Sequence, residues 1–241
     1  MLRHHALLVR VPDLRLGVAF YAARLGPAET RVAEDFVRLG DSLYLEQVSP
    51  APGPAFDQAR AFTTFTVPDL DTEALAAEAR DPLTTTPRPV RGGRCLRMRD
   101  PFGNVQVLLE PREGMVRAAP SGIKIPIASV PAARHLYGDF LCFAQNGRHY
   151  PPQLAMNHRD GSPAFTIEDK EIWEPDVRVR APLYPNETGA VLVFTFPDLA
   201  ELHANLARRA VRLTPIVDFP LGKRMGIVDP AGLASEIWQF A

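Results

Sequence analysis

ALLVRVPDLRLGVAFY, residues 6–21, joins two kinds of local order in one short stretch. Its first half is an alternating, β-branched run that reads as a strand. Pro12 closes that strand, and Asp13 stands where a side-chain carboxylate accepts from the free N–H groups of a helix start. Beyond Asp13, the residues Leu14, Val18, Tyr21 and Leu25 fall on one helical face, so the helix is expected to cover an apolar surface. The same passage recurs in TTFTVPDLDTEALAAE from Thr63 and in LVFTFPDLAELHANLA from Leu192, with Asp69 and Asp198 as caps. In the last of these, Leu199, Leu202, Leu206 and Ala210 form the apolar face. A degenerate copy, IKIPIASVPAARHLYGDFL, begins at Ile123.

The ends of the segments repeat as well. RMRDPFGNVQVLLEP from Arg97 and GIVDPAGLASEIWQFA from Gly226 each place an Asp-Pro-x-Gly turn between two strand-like runs, which predicts hairpins. LGDSLYLEQV from Leu39 and IEDKEIWEPDV from Ile167 share the spacing of Asp41 to Glu46 and of Asp169 to Glu174. The chain therefore divides into four strand-helix-strands units, 1–52, 58–112, 120–180 and 188–241, separated by proline-rich joins. A unit of about 55 residues buries too little surface to stand alone. Two domains of two units each, 1–115 and 120–241, are the expected organisation.

Composition narrows the function. Hydrophobic residues make up 46% of the 241 and charged residues 23%, values of a globular protein and not of a disordered or coiled-coil chain. The 27 basic and 28 acidic side chains nearly cancel, so no global field draws the chain to nucleic acid or to a membrane surface. Cys95 and Cys142 stand far apart outside any Cys-x-x-Cys pattern, which argues against a disulfide framework or a thiolate zinc site. The opening residues lack an export signal and no apolar run reaches the ~18 residues of a membrane span. A cytoplasmic location is expected. Gly92-Gly93 does not lead a strand into a helix, so it is no phosphate loop, and neither a Gly-x-Ser-x-Gly elbow nor a His-Glu-x-x-His helix is present.

VRVPDLRLGVAFYAARLG, RPVRGGRCLRMRDPFGNVQVLLEP and the pair FTFPDL and VDPAGLASEIWQF together resemble the vicinal oxygen chelate superfamily, the fold of glyoxalases, bleomycin resistance proteins and extradiol dioxygenases. The resemblance implies an α+β protein in which four βαβββ units form two tandem glyoxalase-like domains with curled mixed sheets. Metal-dependent members hold a divalent ion with His or Glu on the first strand of a unit and Glu on the last. Carried over, the first-strand places fall on Ala6, Phe62, Val191 and, in the degenerate unit, Gly122 (with Ser129 as the aligned position); the last-strand places fall on Val107 and Glu236, with Glu46 and Glu174 in the other two units. Carboxylates remain and imidazoles do not. His4, two residues before Ala6 and so on its face by strand alternation, is the one histidine expected near a cleft. His135, His149, His158 and His203 are given no role.

Glu236 is expected to face inward, where a carboxylate needs an arginine or a ligand; Arg224, Lys223 and Arg10 are the candidate partners. If the first unit shares a cleft with the fourth, then Glu46, Glu236 and His4 converge. Phe62, which stands in a vacated ligand place, Trp173 and Trp238 are the expected lining of an apolar pocket. The reading is a binder of small organic molecules with no cofactor and no nucleic acid or membrane partner, either a monomer of pseudo-dimeric domains or a homodimer. Two alternatives stand beside it. One is a glyoxalase-type lyase, isomerase or dioxygenase with Zn, Ni, Mn or Fe on Glu46, Glu236 and His4; the other is a scaffold without a small-molecule site.

Overall fold

The computed structural model describes residues 3–25, 29–40, 43–48, 62–78, 86–90, 93–112, 119–127, 137–138, 141, 143–145, 153–157, 163–169, 189–228 and 234–241. The first unit runs β1 (Arg3–Val11), α1 (Leu14–Leu25), β2 (Glu29–Ala33), β3 (Phe36–Leu39) and β4 (Leu43–Gln47). The second runs β5 (Phe62–Thr66), α2 (Leu70–Glu78), β6 (Arg88–Val90), β7 (Gly93–Arg99) and β8 (Val105–Pro111). The third contributes β9 (Ala119–Ile127), β10 (Ala144–Gln145), β11 (Gln153–Asn157) and β12 (Pro163–Asp169). The fourth runs β13 (Gly189–Thr195), α3 (Leu199–Ala207), β14 (Arg212–Leu213), β15 (Val217–Phe219), β16 (Gly222–Val228) and β17 (Ala234–Phe240).

All three Pro-Asp-Leu aspartates cap helices as their chemistry requires. Asp13 accepts from the Leu16 amide at 2.9 Å, Asp69 from those of Asp71 at 2.9 Å and Thr72 at 3.3 Å, and Asp198 from that of Glu201 at 2.9 Å. Leu199, Leu202 and Leu206 are buried on α3, but the helix ends at Ala207. Ala210 lies beyond it with φ of 56°, so it is no part of the helical face. The Asp-Pro-Phe-Gly turn joins β7 to β8, with Gly103 at φ 89° and its amide bonded to the Asp100 carbonyl at 3.1 Å. Gly93 is required by a close backbone approach: a Cβ there would lie 1.9 Å from the Glu110 carbonyl oxygen.

Two sheets result. The first has the order β14-β16-β17-β13-β1-β4-β3-β2, with β15 on β16; the second has the order β10-β11-β12-β9-β5-β8-β7-β6. Antiparallel pairs lie at their centres, β1 with β13 and β5 with β9. The pairing crosses the sequence division at 115–120, because the first and fourth units share one sheet and the second and third the other.

One apolar core joins the helix-side faces of both sheets. Tyr21 of α1 packs on Phe65 of β5, with ring centroids 6.1 Å apart, and its hydroxyl donates to Asp100 Oδ2 at 2.8 Å. Asp100 also accepts from the amides of Phe102 and Asn104 and from the Asn104 side chain. Burial pushes this carboxyl above its ordinary range against the pull of those bonds. Its contribution to stability therefore declines as the pH rises from 3.8 through the raised folded value. Tyr21→Phe removes a donor from a buried carboxylate and is expected to cost about 1–3 kcal/mol in urea unfolding. An unchanged urea midpoint would contradict that role.

Candidate functional site in the first sheet

Strand alternation in the first sheet sends Leu7, Val9 and Leu45 to the helix-side core and Ala6, Leu8, Arg10, Tyr44 and Glu46 to the opposite face. Arg10 is the singular feature: a guanidinium in an apolar strand, 2% exposed. An unpaired charge at such a place is prohibitively costly, and the neighbouring strands answer it. Arg10 Nε donates to Glu46 Oε2 at 2.9 Å, and its terminal nitrogen Nη2 donates to Glu236 Oε1. Arg224 Nη2 reaches Glu46 Oε1 at 2.7 Å, and Trp238 Nε1 donates to Glu236 Oε2 at 2.7 Å. Each oxygen of both carboxylates is engaged.

These contacts require the sheet to curl. β4 and β16 are four steps apart in strand order, about 19 Å on a flat sheet at roughly 4.8 Å per strand. Yet Glu46 and Arg224 are in contact. Phe36 of β3 and Phe219 of β15 lie still farther apart in strand order, with ring centroids 6.1 Å apart. The arms of the curled sheet therefore meet over its concave face. Trp238 is 0% exposed at the centre of the aromatic group, with centroids 5.1 Å from Tyr44, 5.9 Å from Phe36 and 4.9 Å from Phe219.

Glu46 and Glu236, predicted from separate units, thus converge on one face, and two of the three proposed partners of Glu236 lie beside it. Arg10 is bonded to it and Arg224 Nη1 is 3.8 Å from Glu236 Oε2, whereas Lys223 pairs with Asp218. Phe62 stands on β5 of the second sheet and Trp238 on β17 of the first. Trp173 and Glu174 lie outside the described residues, as do the side chains of Phe62 and His4. The alternation that placed His4 with Ala6 is broken by a bulge between them: His4 pairs with Phe194, and Ala6 with Val193. Cys95 is buried and free; Cys142 is outside the described residues.

The described residues of this face do not fit a divalent ion. Both carboxylates already bind guanidinium or indole N–H groups, the first-strand places hold Ala6 and Val191, and Arg10 and Arg224 oppose a further positive charge. Burial alone would push Glu46 up, but the Arg224 hydrogen bond and the charges of Arg10 and Arg224 outweigh it and hold the carboxyl below 4.5. The stability Glu46 supplies is therefore full above that ordinary value and is lost as the pH falls through the lower folded value.

The chain has the glyoxalase fold. Glyoxalase I from Zea mays superposes with a TM-score of 0.65 at 14% identity, over 99% of this chain and 92% of that one. A provisionally named dioxygenase from Bacillus subtilis subsp. subtilis str. 168 superposes with a TM-score of 0.62 at 12% identity, over 98% and 84%. No protein-family model matches the chain, and no curated protein matches it in sequence.

Removing one member of the buried set strands the others, so Arg10→Met is expected to cost about 3–5 kcal/mol in denaturant unfolding. Replacing the whole set, Arg10→Met, Glu46→Leu, Arg224→Met and Glu236→Leu, is expected to cost less than that single change. A larger loss in the fourfold variant would contradict the account. In wild type the unfolding midpoint should also fall as the pH drops below about 4.5, and this dependence should weaken in Glu46→Gln.

Proposed function

We propose that the chain is a small-molecule-binding protein that works without a metal ion. The observation that carries the reading is the commitment of Glu46 and Glu236 to Arg10, Arg224 and Trp238, which leaves a face whose other described side chains are largely apolar and aromatic, with Arg38 opposite Tyr44. Such a surface favours flat organic molecules held by burial and stacking over substrates polarised by a Lewis acid. The glyoxalase-type lyase, isomerase or dioxygenase reading needs free carboxylates, and the donor set speaks against it. No helix among the described residues is long and apolar enough to cross a membrane.

One observation favours a second reading, a packed scaffold: Ala6, Leu8, Val193 and Trp238 are buried and the arms of the sheet touch. A ligand must then seat at the outer margin of this face or part the arms. Elemental analysis of untagged protein after incubation with Zn, Ni, Mn and Fe(II) and desalting is expected to find far less than one equivalent of each. A thermal-shift screen of aromatic small molecules is expected to yield saturable stabilisers. Stoichiometric metal lost in Glu236→Gln would overturn the metal-free reading, and a screen without a stabiliser would favour the scaffold.

A further inference from the structure

We propose that the margin of the concave face formed by β15, β16 and the end of β17 seats a small aromatic anion, with the Arg224 guanidinium gripping its oxygen. This rests on the binding reading above and narrows it to a chemical class.

The strand register assembles the seat. Val217 lies opposite Arg224 and Arg224 opposite Trp238, while Phe219 and Phe240 both lie opposite Gly222. Directly opposed residues project from the same face, so Val217, Phe219, Arg224 and Phe240 share the face of Trp238. The large apolar side chains exposed among the described residues are Leu16 and Leu75, on helices, and Val217 and Phe240, which are 48% and 43% exposed on this margin. Phe219 lies beneath the Arg224 guanidinium, whose Cζ is 5.4 Å from the ring centroid.

The donors and acceptors do not balance here. Glu46 Oε2 and Glu236 Oε1 receive Arg10, Glu46 Oε1 receives Arg224 Nη2, and Glu236 Oε2 receives Trp238 Nε1. Arg224 Nη1 is left buried without a hydrogen bond, 3.8 Å from a carboxylate oxygen that already has a donor. A buried donor in this state is costly, and an oxyanion is the partner that satisfies it best. The Arg10 and Arg224 charges on this face are matched by Glu46 and Glu236, and Asp35, exposed on the turn between β2 and β3, also acts on Arg224, so the unsatisfied Nη1 donor and not a net charge selects the anion. A planar carboxylate or phenolate supplies the missing acceptor and a ring for Phe219 and Phe240. A neutral aromatic supplies only the ring, and a cationic one is repelled.

The test is isothermal titration of the full chain with three probes of one shape: 2-naphthoate, 2-naphthamide and 2-naphthylmethylammonium. The anion is expected to bind at least about tenfold tighter than the amide, and the cation most weakly. Arg224→Gln should erase the preference for the anion over the amide. Because Arg224 also holds Glu46, a second variant keeps the buried set intact: Val217→Glu places a carboxylate opposite Arg224 at an exposed position and should shrink the anion's advantage over the amide. Equal binding of anion and amide to wild type overturns the anion proposal and leaves the binding reading standing. An unaltered preference in both variants overturns the placement at Arg224. Binding of none of the probes overturns the seat itself, and with an empty thermal-shift screen the binding reading falls too.

Discussion

A guanidinium buried in the middle of a sheet is the constraint from which the rest of this structure follows. Arg10 cannot neutralise itself by losing a proton and cannot reach water, so its partners must come to it. They come from distant parts of the chain: Glu46 lies 36 residues away and Glu236 lies 226 residues away. Meeting both requires the first and fourth units to share a sheet, and the contact of Glu46 with Arg224 requires that sheet to curl. Arg224 and Trp238 then occupy the carboxylate oxygens that Arg10 leaves open. Burial makes the set demanding, since each charge is worth keeping only while its partners are in place.

The glyoxalase fold is compatible with many chemistries, and the site decides among them. Here the places that the resemblance assigns to metal ligands keep their two carboxylates and lose their imidazoles. The positive charge between those carboxylates is a guanidinium that the chain carries itself. A metal ion leaves coordination positions open to substrate, whereas a guanidinium bonded on both sides leaves none. What surrounds the ion-paired set in the first sheet is the aromatic group on the concave face and the half-exposed margin around Arg224.

Much of this architecture was legible in the sequence because it rests on local chemistry. Pro-Asp-Leu is a strand end followed by a cap, and Asp-Pro-Phe-Gly is a hairpin turn, whatever surrounds them. The two carboxylates were legible through their places in the repeated unit. The pairing of units was not, because no local preference distinguishes one strand neighbour from another. Arg10 sat in plain view as a charge at an inward position of ALLVRV, and it could be named as a partner of Glu236 without its joint hold on Glu46 being evident. The Trp238 indole bond follows from the spacing of 236 and 238 on one face, a signal that was available. Tyr21 read as a core residue because its ring is one; its hydroxyl serves a buried Asp100 that only tertiary structure brings near. The bulge after His4 and the early end of α3 before Ala210 are backbone events that periodicity does not register.

The central claim is that the cation between Glu46 and Glu236 is Arg10. It is tested most directly by following the side-chain carboxyl carbons of 13C-labelled glutamates by NMR while Mn(II) is added. Paramagnetic broadening reports which carboxylates the ion approaches. The account predicts that Glu46 and Glu236 remain sharp while exposed carboxylates broaden gradually at excess Mn(II). Selective broadening of Glu46 and Glu236 at one equivalent would show that a metal displaces the guanidinium, and would contradict it.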